Sequence, residues 1–163
     1  MELFVPGRIC LFGEHSDWAA GHRRQNSALE KGCAIIAGTN QGLHARATPD
    51  AGKLVLRSVL PDGTERTWSA DMRPEALLAD PQAGGFFSYA AGVAYQVRTN
   101  WRVGGLAIDN HRTDLPIKKG LSSSAAICVL VARAFNRLYD LRLTVRGEMD
   151  LAYRGEITTP SRC

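Results

Sequence analysis

The chain has 163 residues, 20 Lys+Arg against 16 Asp+Glu, a net charge of +4 and 45% hydrophobic residues. That balance is globular. It excludes a disordered tail or a fibrous repeat, and the length suits one domain with a real core rather than a whole two-domain enzyme. The sequence pI is near 9.1, yet no run of about five or six basic residues appears, so nucleic acid is not an expected partner. No apolar stretch approaches the roughly 18 residues of a membrane span, and Met1–Arg8 lacks the basic-then-apolar order of a leader; no membrane partner is expected either. Cys10, Cys33, Cys128 and Cys163 form no CxxC pair. Cys33 and Cys128 lie in apolar runs and read as buried thiols, which points to a reduced, cytoplasmic compartment.

In chain order, Leu3–Val5 and Arg8–Phe12 read as an extended run broken by Pro6-Gly7. Cys33–Thr39 and Leu43–Ala47, with Asn40-Gln41-Gly42 between them, predict a hairpin. Lys53–Val59 and Thr64–Ser69 around Pro61-Asp62-Gly63 predict a second. The small and aromatic residues of Gly85–Val97 predict a helix, and the short apolar Gly105–Asp109 a strand. Ile127, Leu130, Val131, Ala134, Phe135 and Leu138 fall at helical spacing and form one buried stripe. A last helix, capped by Thr144 and running to about Glu156, places Val145, Met149, Ala152 and Tyr153 on a shared face. Hairpins followed by packed helices predict an α+β domain with a mixed β-sheet.

Two segments carry the chemistry. In Pro6-Gly7-Arg8-Ile9-Cys10-Leu11-Phe12-Gly13-Glu14-His15-Ser16-Asp17-Trp18, a short strand delivers Glu14, His15 and Asp17 within four positions. Such crowding suits a polar pocket, where carboxylates accept hydrogen bonds from hydroxyls and an imidazole donates or accepts; a solvated turn would look the same. In Leu115-Pro116-Ile117-Lys118-Lys119-Gly120-Leu121-Ser122-Ser123-Ser124-Ala125-Ala126, a glycine and three serines open an apolar helix. Serines cap helices in general, but a helix start with small side chains also holds a phosphate. No G-x-x-x-x-G-K-[ST] occurs, so a P-loop is not the source of nucleotide binding.

Taken together, in this order and about a hundred residues apart, these two segments resemble two signatures of the GHMP kinases. Gly13-Glu14-His15-Ser16-Asp17-Trp18 is similar to the sugar-binding element of the galactokinase-like branch. Cys10, Phe12 and Trp18 depart from the usual Asn, Ile and Tyr of that branch, so galactose as the sugar does not follow. The resemblance implies a domain of ribosomal-S5-like topology over residues 1–163, and an ATP-dependent kinase acting on a small polyhydroxylated substrate. It implies that Arg8 is catalytic, that Glu14, His15 and Asp17 bind the substrate, and that Lys119, Gly120, Leu121, Ser122, Ser123, Ser124 and Ala125 bind ATP. Ser124 and Glu156 would hold Mg2+, whose preference is for hard oxygen ligands. A mevalonate-type kinase, or a sensor that binds sugar and nucleotide without turnover, is the alternative. The family's catalytic aspartate follows the glutamate matched by Glu156 by about eleven or twelve positions, so the chain reads as the first half of a kinase and is expected to be inactive by itself. The apolar faces of its closing helices are then expected to promote self-association.

Overall fold

The computed structural model describes residues 1–13, 22–30, 32–83, 87–115 and 121–160. Among them, five strands form one mixed sheet: β1 (Glu2–Phe12), β2 (Ile35–Asp50), β3 (Lys53–Val59), β4 (Glu65–Asp71) and β5 (Gly105–Thr113). Their order is β1-β2-β5-β3-β4, antiparallel throughout except for the β3–β5 pair. The helices are α1 (Pro74–Ala83), α2 (Ser88–Asn100), α3 (Ser123–Leu138) and α4 (Val145–Ile157). The α+β expectation holds, with helices against one sheet face. Leu3, Val5, Leu43, Ala45, Leu54, Leu56, Leu106 and Ile108 point into that layer and meet Leu130, Val131 and Phe135 of α3. The alternate positions Glu2, Phe4 and Arg46 are exposed, as period-two strands with one covered face require.

The second hairpin is present, with Val59 opposite Glu65 and Gly63 at φ +81° in its turn. The first is not. Residues 35–50 form one unbroken strand, because β1 is long enough to pair with it on both sides of Asn40-Gln41-Gly42. The register passes from Pro6–Gly42 to Arg8–Gly38, so Gly7 alone faces residues 39–41. The turn residues are absorbed in a bulge, where the Thr39 hydroxyl donates to the Gln41 carbonyl at 2.7 Å. By the same pairing Pro6-Gly7 does not break β1. Cys128 is buried as expected, but Cys33 is exposed: it precedes β2, where Ile35 and Ile36 are also exposed beyond the helix-covered part of the sheet.

Helix α1 has no counterpart in the sequence reading, which lacks an apolar stripe to announce it. It starts at Pro74, a residue suited to a first helical turn, after Asp71 accepts the Arg73 N–H at 2.9 Å. The predicted helix over 85–97 is α2, displaced toward Asn100, and β5 runs four residues past Asp109. In α4, Thr144 caps Gly147 N–H as predicted, at 3.2 Å. Its buried side, however, is Glu148, Leu151, Ala152 and Gly155, while Val145, Met149 and Tyr153 are exposed.

Polar anchors and a glycine contact set that rotation. The Glu148 carboxylate, 6% exposed as a residue, accepts from Arg133 Nε (3.0 Å) and Asn136 Nδ2 (2.8 Å) on α3. Asn136 also bonds both the N–H and the carbonyl of Leu143. Glu148→Ala should cost about 2–3 kcal/mol by leaving the half-buried Arg133 without its charged partner; urea unfolding measures it.

Asp50, Asp62 and Asp71 each accept turn N–H groups, which holds their carboxyls below the usual range. Depressed folded-state values contribute stability that is present at neutral pH and lost as pH falls below about 4. Melting temperature against pH should fall in that window.

Candidate functional site

The β2 bulge opposite Gly7 brings Arg8 to the start of α3. Its backbone N–H donates to the Leu121 carbonyl at 3.2 Å. Its guanidinium donates twice to the Ser122 hydroxyl, from Nε at 3.0 Å and Nη2 at 2.7 Å. Two segments more than a hundred residues apart in sequence therefore meet at one point. Gly7 makes the approach possible. A Cβ there would strike the Leu115 side chain and lie 3.2 Å from the Leu121 carbonyl oxygen. Gly7 is a site residue that motif reading misses, although Pro6-Gly7 inside an apolar strand is its signal.

Ser122 is not an ordinary cap. It adopts a left-handed conformation, φ 57° and ψ 47°, and its side chain caps no backbone N–H of α3. The hydroxyl is taken by Arg8 instead. A non-glycine residue held in this region costs about 1–3 kcal/mol and marks a locally imposed geometry. The first N–H groups of α3, at Ser123, Ser124 and Ala125, have no intrahelical partners and no side-chain cap.

Charge placement sharpens the picture. A guanidinium beside a helix N-terminus adds positive charge to a positive dipole end, which is unfavourable without an anion. Among the described residues no carboxylate pairs with Arg8. Glu156 has the mirror-image problem: it is a carboxylate in the last turn of α4, the negative end. The two helices run antiparallel, since Glu148 meets Arg133 and Asn136 late in α3 while Glu156 lies near Cys128 early in it. Burial pushes the Cys128 thiol up, and the negative charge of Glu156 adds to that. Cys128 is one helical turn beyond Ser124, so the Glu156 end of α4 and the serine end of α3 share one side of the layer. Arg154, in the same last turn, pairs with Asp150. A cation and a carboxylate at the same end of the helical layer suit a phosphate together with its metal ion.

Arg8, Leu121 and Ser122 are thus directly joined, Ser123, Ser124 and Ala125 form the adjoining helical turn, and Glu156 lies at the same end. Glu14, His15, Asp17, Lys119 and Gly120 lie outside the described residues. Among the described residues, no helix is long and apolar enough to cross a membrane.

Residues 88–161 match the family model described as the GHMP kinases N terminal domain. Over 160 residues the chain is 30% identical to a galactokinase of Exiguobacterium sibiricum, covering 94% of this chain and 35% of that protein. It is 30% identical over 143 residues to a galactokinase of Streptomyces coelicolor, covering 85% and 32%. In fold it is similar to the mevalonate kinase of Methanococcus jannaschii, with a TM-score of 0.73 at 18% identity, covering all of this chain and 48% of that one. The phosphomevalonate kinase of Streptococcus pneumoniae, solved with phosphomevalonate and AMPPNP, gives 0.54 at 21% identity, covering 93% and 41%. Residues 88–161 are thus similar to the GHMP kinases N terminal domain, and the fold is that of the mevalonate kinase N-terminal half. The sequence relatives named above are galactokinases, and the chain spans about a third of their length.

Relieving the Ser122 strain separates fold from function. Ser122→Gly should keep or raise stability by up to about 1 kcal/mol, since glycine accepts a left-handed conformation freely. The same change removes the hydroxyl that fixes Arg8, so Mg-ATP affinity should fall. Parallel melting and nucleotide titration would show the split.

Proposed function

We propose that the chain is the ATP- and sugar-binding N-terminal domain of a kinase that transfers the γ-phosphate of ATP to a hydroxyl of a small polyhydroxylated substrate. The observation that carries this reading is the double hydrogen bond from Arg8 to Ser122, which unites the two motif segments at an uncapped helix start. The galactokinase relatives favour a sugar over a mevalonate-type acid. The mevalonate kinase neighbours speak to the fold alone.

In this mechanism the N–H groups at the start of α3, with Lys119, Gly120, Leu121 and Ala125 of the same segment, cradle the ATP phosphates. Arg8 holds positive charge beside the phosphoryl group as its bond to the leaving oxygen breaks and its bond to the sugar oxygen forms. Glu14, His15 and Asp17 accept and donate hydrogen bonds to the sugar and align its hydroxyl. The hydroxyl proton passes to a carboxylate base implied by the family resemblance. Ser124 and Glu156 are oxygen donors at adjoining helix ends, a set that suits Mg2+, which takes one or two protein ligands and completes its shell with water and phosphate. When bound, the ion neutralises phosphate charge.

The reduced, cytoplasmic compartment belongs to the same proposal, as does the absence of nucleic-acid and membrane partners. The exposed stripe Val145, Met149, Tyr153 and Ile157 on α4 supports self-association of this chain.

Mixing a chain extended through the second half of the kinase with Mg-ATP and a panel of galactose, related sugars and mevalonate, and following ADP release, tests the reading; residues 1–163 alone are expected to show no appreciable turnover. A sugar phosphate is the expected product. Turnover of mevalonate alone would establish the mevalonate-type alternative, and binding of sugar and nucleotide without turnover would establish the sensor.

A further inference from the structure

We propose that Asp114, clamped by His44 and Arg112, is a positioning residue that fixes where the chain leaves β5 and so holds Leu121–Ala126 in place against Arg8. The inference rests on the kinase reading only for its consequence on nucleotide affinity.

Asp114 is the first residue after β5. Its N–H donates to the Gly42 carbonyl at 3.0 Å, next to the β2 bulge. One carboxylate oxygen accepts from His44 Nε2–H at 2.9 Å, and the other forms an ion pair with Arg112 Nε at 3.3 Å. Arg112 Nη2 lies 2.7 Å from the same His44 nitrogen, which serves one partner at a time: with its proton on Nε2, His44 holds Asp114 and Arg112 is held by the ion pair. The His44 ring rests against Phe4, with centroids 4.8 Å apart. Side chains of two adjacent strands thus meet on one residue that is itself outside the sheet, and Phe4 of a third strand backs His44.

The course of the chain beyond Asp114 gives the cluster its consequence. Leu115 is fully buried and abuts Gly7, and the next described residue, Leu121, is tied to Arg8 N–H. Asp114, Leu115 and Leu121 are therefore all held against the short stretch Pro6-Gly7-Arg8 and its strand partner Gly42. Exposed ion pairs such as Arg46–Glu2 join residues already held by strand pairing and contribute little to stability. The Asp114 cluster differs because its loss frees a chain direction rather than a strand. A carboxylate at the base of an anion-binding segment would also repel phosphate unless neutralised, and Arg112 supplies that charge.

Amide hydrogen exchange without nucleotide, and Mg-ATP titration, on the parent, Asp114→Ala and Asp114→Asn decide the matter. In Asp114→Ala, exchange across Leu121–Ala126 should quicken about tenfold while Leu54 and Trp68 keep the parent rate, and Mg-ATP should bind about tenfold more weakly. Asp114→Asn retains an acceptor for Arg112 and should stay within about threefold of the parent in both measurements. Unchanged exchange in Asp114→Ala overturns the proposal, and so does a rise shared equally by Leu54 and Trp68. If the parent itself fails to bind Mg-ATP while exchange responds as described, the clamp is supported and the kinase reading alone fails.

Discussion

In a chain extended through the second half of the kinase, Arg8→Ala is expected to lower kcat/KM for phosphoryl transfer about 10²–10³-fold, the range seen when one donor to a developing negative charge is removed. Stability should change by no more than about 0.5 kcal/mol, because Arg8 is exposed and covers no core. The combination comes from placement. The guanidinium holds Ser122, lacks a carboxylate partner among the described residues and stands at the positive end of α3. Arg8→Lys keeps the charge but not the planar donor pair, and should fall between the two. Steady-state kinetics beside thermal melting measure both sides. Unaltered kinetics in Arg8→Ala would mean that the Arg8–Ser122 bond is purely structural.

Gly155→Val should destabilise the domain by more than about 4 kcal/mol, the range reserved for changes no local rearrangement absorbs. α2 and α4 cross at Gly92 and Gly155. A Cβ on Gly155 would lie 2.6 Å from Val93 Cα and 2.7 Å from Val93 N, and one on Gly92 would strike the Gly155 carbonyl. The obstacle is backbone, so no rotamer change relieves it, and overpacking of this kind forces the helices apart. Glu156 would be carried away from α3 with them. Denaturant unfolding should show the loss. Combining Val93→Ala with Gly155→Val removes Val93 Cγ2, the nearest atom, but should recover only part of the loss, since Val93 Cα and N stay in place.

The outer framework is legible in the sequence. The second hairpin, the buried stripe of α3 and the Thr144 cap are local signals, written in turn chemistry and helical spacing. The first hairpin misleads because Asn40-Gln41-Gly42 is good turn chemistry locally. Only the length of β1, which pairs across that segment, makes it a bulge. The face of α4 misleads for a related reason: apolar spacing favours Val145, Met149 and Tyr153, whereas a buried charge network and a glycine contact set the rotation. At the site, motif order is enough to nominate Arg8 and the serines, but not their mutual hydrogen bonds. Gly7 and Asp114 are invisible as site residues, since each acts through a contact that only the tertiary structure creates.

The most direct measurement of the central claim, that Arg8 and the start of α3 form a nucleotide-phosphate site, is a Mg-ATP titration followed by amide and arginine Nε resonances. The account predicts saturable shifts that are largest for Leu121–Ala126 and Arg8 Nε, and absent around Leu54 and Trp68. Saturable binding that leaves Leu121–Ala126 and Arg8 unmoved would place the nucleotide elsewhere and contradict it.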